Sequence, residues 1–271
     1  MKIHTLGPKG TYSEIASEQF KSKLTYNYEI ILHPSIDHVF NQLNENDLLV
    51  LPFENRVDGY IQRTIDLIHQ NNLYINSILS LNISFSFISN EKKINDIKNI
   101  YVQFKAKKQV LNFLSKYQGF NFIITESNSE SLNLYLKNQS NSAVIIPSHL
   151  VLNDYNIVIN NIEDIKDNMT KFVLVSCDLK LTNHHKSLKV FISLTPNDDK
   201  PGLLYDLLSD FKKLNINLSA IISRPRKDVI NKYHFYLELD TYLKDFNNLK
   251  NILKNNKSLT TKILGVYYEL I

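Results

Sequence analysis

The chain holds one cysteine, no tryptophan, six glycines and seven prolines among 271 residues, and each scarcity removes a class of explanation. A lone Cys177 can form neither an intrachain disulfide nor a cysteine-based zinc centre, and its apolar surroundings read as a core position. Arginine is scarce as well, at 4 of the 31 basic residues, while the lysines are spread along the whole length. Nucleic-acid readers concentrate positive charge and favour the guanidinium fork, so a net charge of +4 distributed this way predicts no nucleic-acid partner. Long apolar runs are missing too. The longest uncharged stretch, which includes Tyr74 to Asn90, is broken by Asn and Ser, and nothing approaches the roughly 20 apolar residues of a membrane helix. No membrane partner is expected. The opening MKIHTLGPKG lacks the apolar h-region and cleavage site of a secretory signal, which makes a cytoplasmic location the default expectation. The surplus of Asn, Lys and Ile reads as codon bias, under which some lysines stand where relatives carry arginine.

What is present suffices for a folded protein. Hydrophobic residues make up 43% of the chain, which excludes disorder as the main state and suits one large domain or two modest ones. The first 180 residues alternate apolar runs with helical periodicity, the pattern of βα units around a mostly parallel sheet. Strands are predicted at Lys2 to Leu6, Tyr28 to Leu32, Leu48 to Leu51, Ile100 to Gln103, Phe122 to Thr125, Ala143 to Ile146 and Phe172 to Cys177. Helices are predicted at Ser13 to Lys21, Ile36 to Leu43, Gly59 to Gln70, Ala106 to Tyr117 and Ser131 to Lys137. Ser80 to Ser89 reads as one strand joining two α/β lobes, 1–79 with 160–180 and 80–159, with a cleft between them. From Asp178 to Ser187 the chain turns polar, which sets a domain boundary. Adjacent His184 and His185 point apart, so they read as solvated linker and not as metal ligands. Residues 187–271 then read β, α, β, β, α, β, a ferredoxin-like unit.

Four segments gather chemistry-bearing residues. Gly7 to Glu14 ends a strand in a glycine turn and opens a helix, with Thr11 and Glu14 spaced as a capping box. Backbone N–H groups there favour an anion, although a plain βα turn explains the spacing equally, and the GxGxxG of a dinucleotide site is absent. Leu51 to Gly59 crowds Glu54, Asn55, Arg56 and Asp58 into a turn at the carboxyl edge of the sheet, where α/β folds bind ligands; a helix cap beside a solvated Arg56 is the plainer alternative. Asn161 to Asp164 with Asn168 to Phe172 is a polar loop entering a buried strand, where Thr170 and Lys171 offer a hydroxyl and a cation. In the C-terminal unit, Pro201-Gly202-Leu203 opens a helix and Asn217-Leu218 precedes Ser223-Arg224-Pro225; with no nucleophile beside a base, this reads as a binding module.

In this order the segments resemble the prephenate dehydratase family with a C-terminal ACT regulatory domain, over essentially the whole chain. The family's GPxGTFSxxA is similar to GPKGTYSEIA at Gly7 to Ala16, its PxENSxxGxVxxTxDLL to PFENRVDGYIQRTIDLI at Pro52 to Ile68, and its NIEDxxxNxTRF to NIEDIKDNMTKF at Asn161 to Phe172. Its GAL and ESRP resemble Gly202-Leu203-Leu204 and Ile222-Ser223-Arg224-Pro225. There are departures. The SHPQALxQ segment aligns with Val102 to Gln109, placing Val102 where the family has a cleft serine, and STxxAA has become Ser127 to Leu132.

The resemblance implies a two-lobed, periplasmic-binding-protein-like catalytic domain at 1–180 and an ACT domain at 187–271. It implies decarboxylating dehydration of prephenate to phenylpyruvate without metal or cofactor, with L-phenylalanine as effector and a homodimer or homotetramer. Thr170, Glu54 and Asn55 are the implied catalytic residues; Thr170 acts as donor or relay at the leaving hydroxide and Glu54 is the candidate acid. Gly10, Thr11, Arg56, Gln109, Lys171 and Phe172 are the implied substrate binders, with Lys171 holding a carboxylate as a point charge. Gly202, Leu203, Asn217, Leu218, Ser223 and Arg224 are the implied effector site. Two alternatives stand beside this reading: a catalytically weak ligand-binding homologue, which Val102 and Arg56 favour, and an arogenate dehydratase.

Overall fold

The structure, a computed structural model, describes residues 1–117, 119–180, 187–197, 200–226 and 229–270. His184 and His185 lie outside the described residues. The first lobe runs β1 (Lys2–Leu6), α1 (Tyr12–Ser22), β2 (Glu29–His33), α2 (Ile36–Asn41), β3 (Leu48–Asn55), β4 (Gly59–Tyr60), α3 (Gln62–Gln70) and β5 (Tyr74–Asn82). The second lobe follows as β6 (Phe85–Ser89), β7 (Asn99–Gln103), α4 (Phe104–Lys108), α5 (Leu111–Leu114), β8 (Asn121–Thr125), α6 (Asn128–Lys137), β9 (Ser142–Pro147) and β10 (Ile157–Asn160). The chain returns to the first lobe as β11 (Met169–Ser176). It then builds β12 (Ser187–Pro196), α7 (Leu203–Lys213), β13 (Asn217–Pro225), β14 (Tyr233–Tyr242), α8 (Phe246–Asn255) and β15 (Leu259–Tyr267). Side-chain caps start several of these helices: Thr11, Ser35 and Ser127 each accept the N–H three residues on.

The α/β class holds, with differences from the sequence pattern; the helix expected from Gly59 starts only at Gln62, because Gly59 and Tyr60 pair with β3 as β4. Ser80 to Ser89 is not one strand. β5 and β6 belong to different sheets, and the break at Ile83 and Ser84 is pinned by the Ile83 N–H on the Asn168 carbonyl (2.7 Å) and by the Tyr12 hydroxyl, which donates to the Ser84 carbonyl (3.0 Å). The expected helix from Ala106 to Tyr117 divides into α4 and α5, because Val110 leaves helical geometry at φ −131° and ψ 27°. The sheets are also mixed. β11 runs antiparallel to both β3 and β5, and β6 antiparallel to both β9 and β10, since the chain must cross between lobes and come back.

One ten-stranded sheet unites the first lobe with the C-terminal unit in the order β13, β14, β12, β15, β5, β11, β3, β1, β2, with β4 beside β3. β15 meets β5 where Gly265 faces Ile75. A Cβ at Gly265 would lie 2.6 Å from the Ile75 Cβ and 2.8 Å from its carbonyl oxygen, so only glycine permits the approach. A shared core covers the seam. Phe53, Ile75, Val173 and Val175 of the first lobe pack with Phe191, Tyr236, Leu264 and Tyr267, and Phe53 meets Phe191 edge-on at 5.2 Å. At the rim Arg224 donates twice to Asp66 of α3, at 2.7 and 3.3 Å, and also to Gln62.

Gly265→Ala is expected to destabilise the protein by about 1–3 kcal/mol, the usual cost of overpacking a closed contact. Denaturant unfolding checks this, and an unchanged midpoint would mean that the seam has room to relax.

Candidate functional site

The cleft lies between the two sheets, with a volume of about 800 Å³. Its first-lobe wall comes from the carboxyl ends of strands and the turns after them: Gly7, Pro8, Thr11, Tyr12 and His33, with Asn55 and Thr170 at the floor. Its second-lobe wall comes from Gln103, Lys105, Ala106 and Gln109 around α4 and from Glu126, Ser127 and Asn128 at the start of α6. The lobes touch across the mouth. Ser129 donates to the Lys9 carbonyl (2.6 Å), and His149 Nε2 bonds to the Gly10 carbonyl (3.0 Å).

A run of neutral hydrogen bonds crosses the floor. The Asn55 amide oxygen accepts from the backbone N–H groups of Val57 (2.9 Å) and Asp58 (3.2 Å), which fixes the orientation of the amide. Its Nδ2 therefore faces Thr170 Oγ1 at 2.9 Å and Asn168 Oδ1 at 3.2 Å, and Asn168 Nδ2 in turn donates to Gln109 Oε1 at 3.3 Å. With its oxygen accepting from Asn55, the Thr170 hydroxyl keeps its own proton for a partner in the cleft. This is the arrangement a leaving oxygen needs. Asn168 is 2% exposed and is the keystone between the lobes. Its place in the NxTRF-like segment is the available signal for it, although from that segment only Thr170, Lys171 and Phe172 are expected at the site.

Other expected residues are placed elsewhere. In β11 and β3, Thr170 pairs with Asn55 and Lys171 with Glu54, and successive residues of a strand face opposite sides. Lys171 Nζ lies 2.7 Å from Glu54 Oε2 on the face away from the cleft, so the structure brings neither the candidate acid nor the candidate carboxylate binder to the substrate's side. Phe172 is 2% exposed and packs in the core beneath α1. Arg56 is exposed and donates to the Asp167 carbonyl at 3.0 Å, leaving the cleft unfilled. Val102 is fully buried in the second-lobe core, and the strand-end residue facing the cleft is Gln103. Thr11 does stand at the wall while Gly10 is not among the lining residues, and both belong to a closed turn: Glu14 accepts from the Gly10 N–H (2.6 Å) and Thr11 Oγ1 donates to the Leu6 carbonyl (3.2 Å).

Behind the cleft, Glu238 is 2% exposed and collects donors from both units: Lys189 Nζ and the hydroxyls of Tyr267 and Tyr60, at 2.7, 2.8 and 3.3 Å. Burial alone would raise its carboxyl, but the Lys189 ammonium outweighs that and holds it below the usual range. The same burial, with the negative charge of Glu238 beside it, drives the Tyr60 and Tyr267 hydroxyls well up, so both remain donors. Lys189 also reaches Asp240 (2.7 Å), which accepts from Asn217 (2.9 Å). Among the described residues no hydrogen bond joins Gly202 or Leu203 to Ser223 or Arg224, the expected effector residues, and Arg224 is committed to Asp66.

A family model described as prephenate dehydratase matches residues 3–179. A prephenate dehydratase of Methanocaldococcus jannaschii is 35% identical over 270 residues, which span 98% of this chain and 97% of the relative. Another from Lactococcus lactis is 31% identical, spanning 94% and 90% of the two chains. Among solved structures, the prephenate dehydratase of Staphylococcus aureus superposes with a TM-score of 0.82 at 27% identity, covering 99% of this chain and 100% of that one. The Arthrobacter aurescens enzyme, solved in complex with L-Phe, has a TM-score of 0.80 at 23% identity, covering 98% and 90%. With both lobes and their cleft accounted for, the chain belongs to the prephenate dehydratase family.

Proposed function

We propose that this chain catalyses the decarboxylating dehydration of prephenate through hydrogen bonding at the leaving hydroxyl, with Thr170 as the catalytic residue. The observation that carries the reading is the Thr170 hydroxyl, held as an acceptor by Asn55 and left free to donate into the cleft. Losing CO2 and hydroxide makes the ring aromatic, so the reaction is strongly downhill. The electron pair of the ring carboxylate's C–C bond moves into the ring as the C–O bond breaks. A donor at the departing oxygen stabilises charge that exists only in the transition state. Asn55, Asn168 and Gln109 orient Thr170 and the substrate without adding a charge that would hold the carboxylate back. The two departures that favoured a catalytically weak homologue, Val102 and Arg56, both lie away from the cleft. Turnover of prephenate to phenylpyruvate by the purified protein, run beside arogenate, tests the reading; a protein that converts neither overturns it.

The C-terminal unit is read as an ACT domain that binds L-phenylalanine between two copies of the chain, in a dimer or tetramer in the cytoplasm. Two observations support this. β13 is a free sheet edge with Ile221 49% exposed, a surface suited to a second copy. A continuous polar path also runs from Asn217 through Asp240, Lys189 and Glu238 to Tyr60, whose strand pairs with Glu54 beside Lys171. Lys171 and Glu54 then couple the regulatory unit to the backs of Thr170 and Asn55, which replaces the carboxylate-binding role expected of Lys171.

Thr170→Ala is expected to lower kcat by about 10² or more with little change in KM, while Thr170→Ser keeps most activity. Asn55→Asp should cost kcat similarly, because a carboxylate takes the Thr170 proton for itself. Steady-state kinetics of both and of the double variant check this, and additive losses would mean that the two residues act separately. For regulation, Lys171→Met is expected to weaken inhibition by millimolar phenylalanine within the roughly 5- to 150-fold range of typical coupling, with KM nearly unchanged. Unaltered inhibition removes Lys171 from the path.

A further inference from the structure

Prephenate carries two carboxylates, yet the cleft that would receive it is nearly empty of positive charge. Lys171 is spent on Glu54, and Arg56 faces the Asp167 loop. Several of the backbone N–H groups around the cleft that could cradle an anion are already engaged. Gly10 donates to Glu14 (2.6 Å), Lys105 and Ala106 both donate to Gln103 Oε1 (2.9 Å each), and Glu126 and Glu130 donate to Glu130 and Ser127 (2.9 and 3.1 Å). Among the described residues lining the cleft, Lys105 is the single Lys or Arg. Of its neighbours on α4, Lys107 lies over the Phe122 ring at 3.8 Å and Lys108 is not part of the wall. Lys105 pairs with no carboxylate among the described residues; its ammonium lies 5.9 Å from the Phe104 ring.

We propose that Lys105 holds the carboxylate of the substrate's 2-oxo-acid side chain, an inference that rests on the reading of the cleft as a prephenate dehydratase site. The choice between the two carboxylates follows from the chemistry. The ring carboxylate must leave as CO2, and a cation beside it would stabilise the ground state more than the transition state, whose charge moves into the ring and onto the leaving oxygen. The side-chain carboxylate passes through the reaction unchanged, so a cation there aids binding uniformly and leaves the barrier alone. Lys105 on the second lobe and Thr170 on the first would then grip opposite ends of one molecule, the oxo-acid and the ring hydroxyl. Lys105 binds and orients the substrate, while the neutral groups on the floor supply the chemistry.

The test uses the full chain and phenylpyruvate, the product, which keeps the side-chain carboxylate and lacks the ring one. In Lys105→Gln, the calorimetric Kd for phenylpyruvate and the KM for prephenate are each expected to rise about tenfold or more, as for loss of a hydrogen bond to a charged group. kcat should stay within about twofold, the signature of uniform binding, and Lys105→Arg should restore most of the affinity. Wild-type binding should weaken with salt more steeply than that of the Gln variant. An unchanged Kd for phenylpyruvate overturns the proposal. A raised KM with an unchanged Kd overturns it as well, since it would place Lys105 on the ring carboxylate. A wild-type protein that binds phenylpyruvate through Lys105 but does not turn over prephenate sinks the functional reading alone.

Discussion

Strand β11 is hydrogen-bonded along both edges, to β3 and β5, and this double pairing fixes which way each of its side chains faces. A strand with one free edge could slip or twist to turn a neighbour inward; β11 cannot. Thr170 and Lys171 are adjacent in sequence, so they must serve opposite faces. Thr170 reaches the cleft with Asn55, and Lys171 reaches the back of the sheet with Glu54. The division of labour proposed for them, chemistry at Thr170 and communication at Lys171, follows from a period of two.

That constraint explains why the cleft is built from amides and a hydroxyl. Glu54, the candidate acid, and Lys171, the expected carboxylate binder, are paired with each other on the far face, and Asn55, Asn168 and Gln109 form the floor instead. Neutral donors suit an elimination whose driving force is aromatisation. In the proposed mechanism they orient the leaving oxygen without binding the departing carboxylate too tightly. The caps on the helix starts work in the same direction, because Glu14, Gln103, Ser127 and Glu130 occupy N–H groups that would otherwise attract anions indiscriminately.

On the back face the requirements reverse, and charges cluster. Glu238 stays ionised in a buried position only because Lys189, Tyr60, Tyr267 and Ser219 all donate to it. Lys189, Tyr267 and Ser219 belong to the C-terminal unit, and Tyr60 adds a donor from the first lobe that reaches the carboxylate only while the two are docked. The Gly265 approach to Ile75 and the Arg224 fork on Asp66 hold the same docking from the edges.

Much of this was legible in the sequence. The strand, glycine turn and capped helix at Gly7 to Glu14, the order βαββαβ after residue 187 and the order of the family-like segments are local patterns, set by turn chemistry and hydrophobic period, and local patterns survive in a linear string. Thr170 and Asn55 lie in polar segments visible in the sequence, and with Gln109 they are marked as site residues by the family resemblance. Other features were invisible: that Val102 is core and Gln103 is wall, that Arg56 turns outward, that Arg224 docks onto α3, and that Lys105, with Lys107 and Lys108 close by in sequence, is the one Lys or Arg among the described residues lining the cleft. Each depends on register between segments that can lie more than a hundred residues apart, as Thr170 and Asn55 do, and on which face of a strand a neighbouring unit covers. Sequence spacing determines that two neighbouring side chains diverge, but only the packed sheet, by placing a cleft on one side and a second unit on the other, decides what each of them meets.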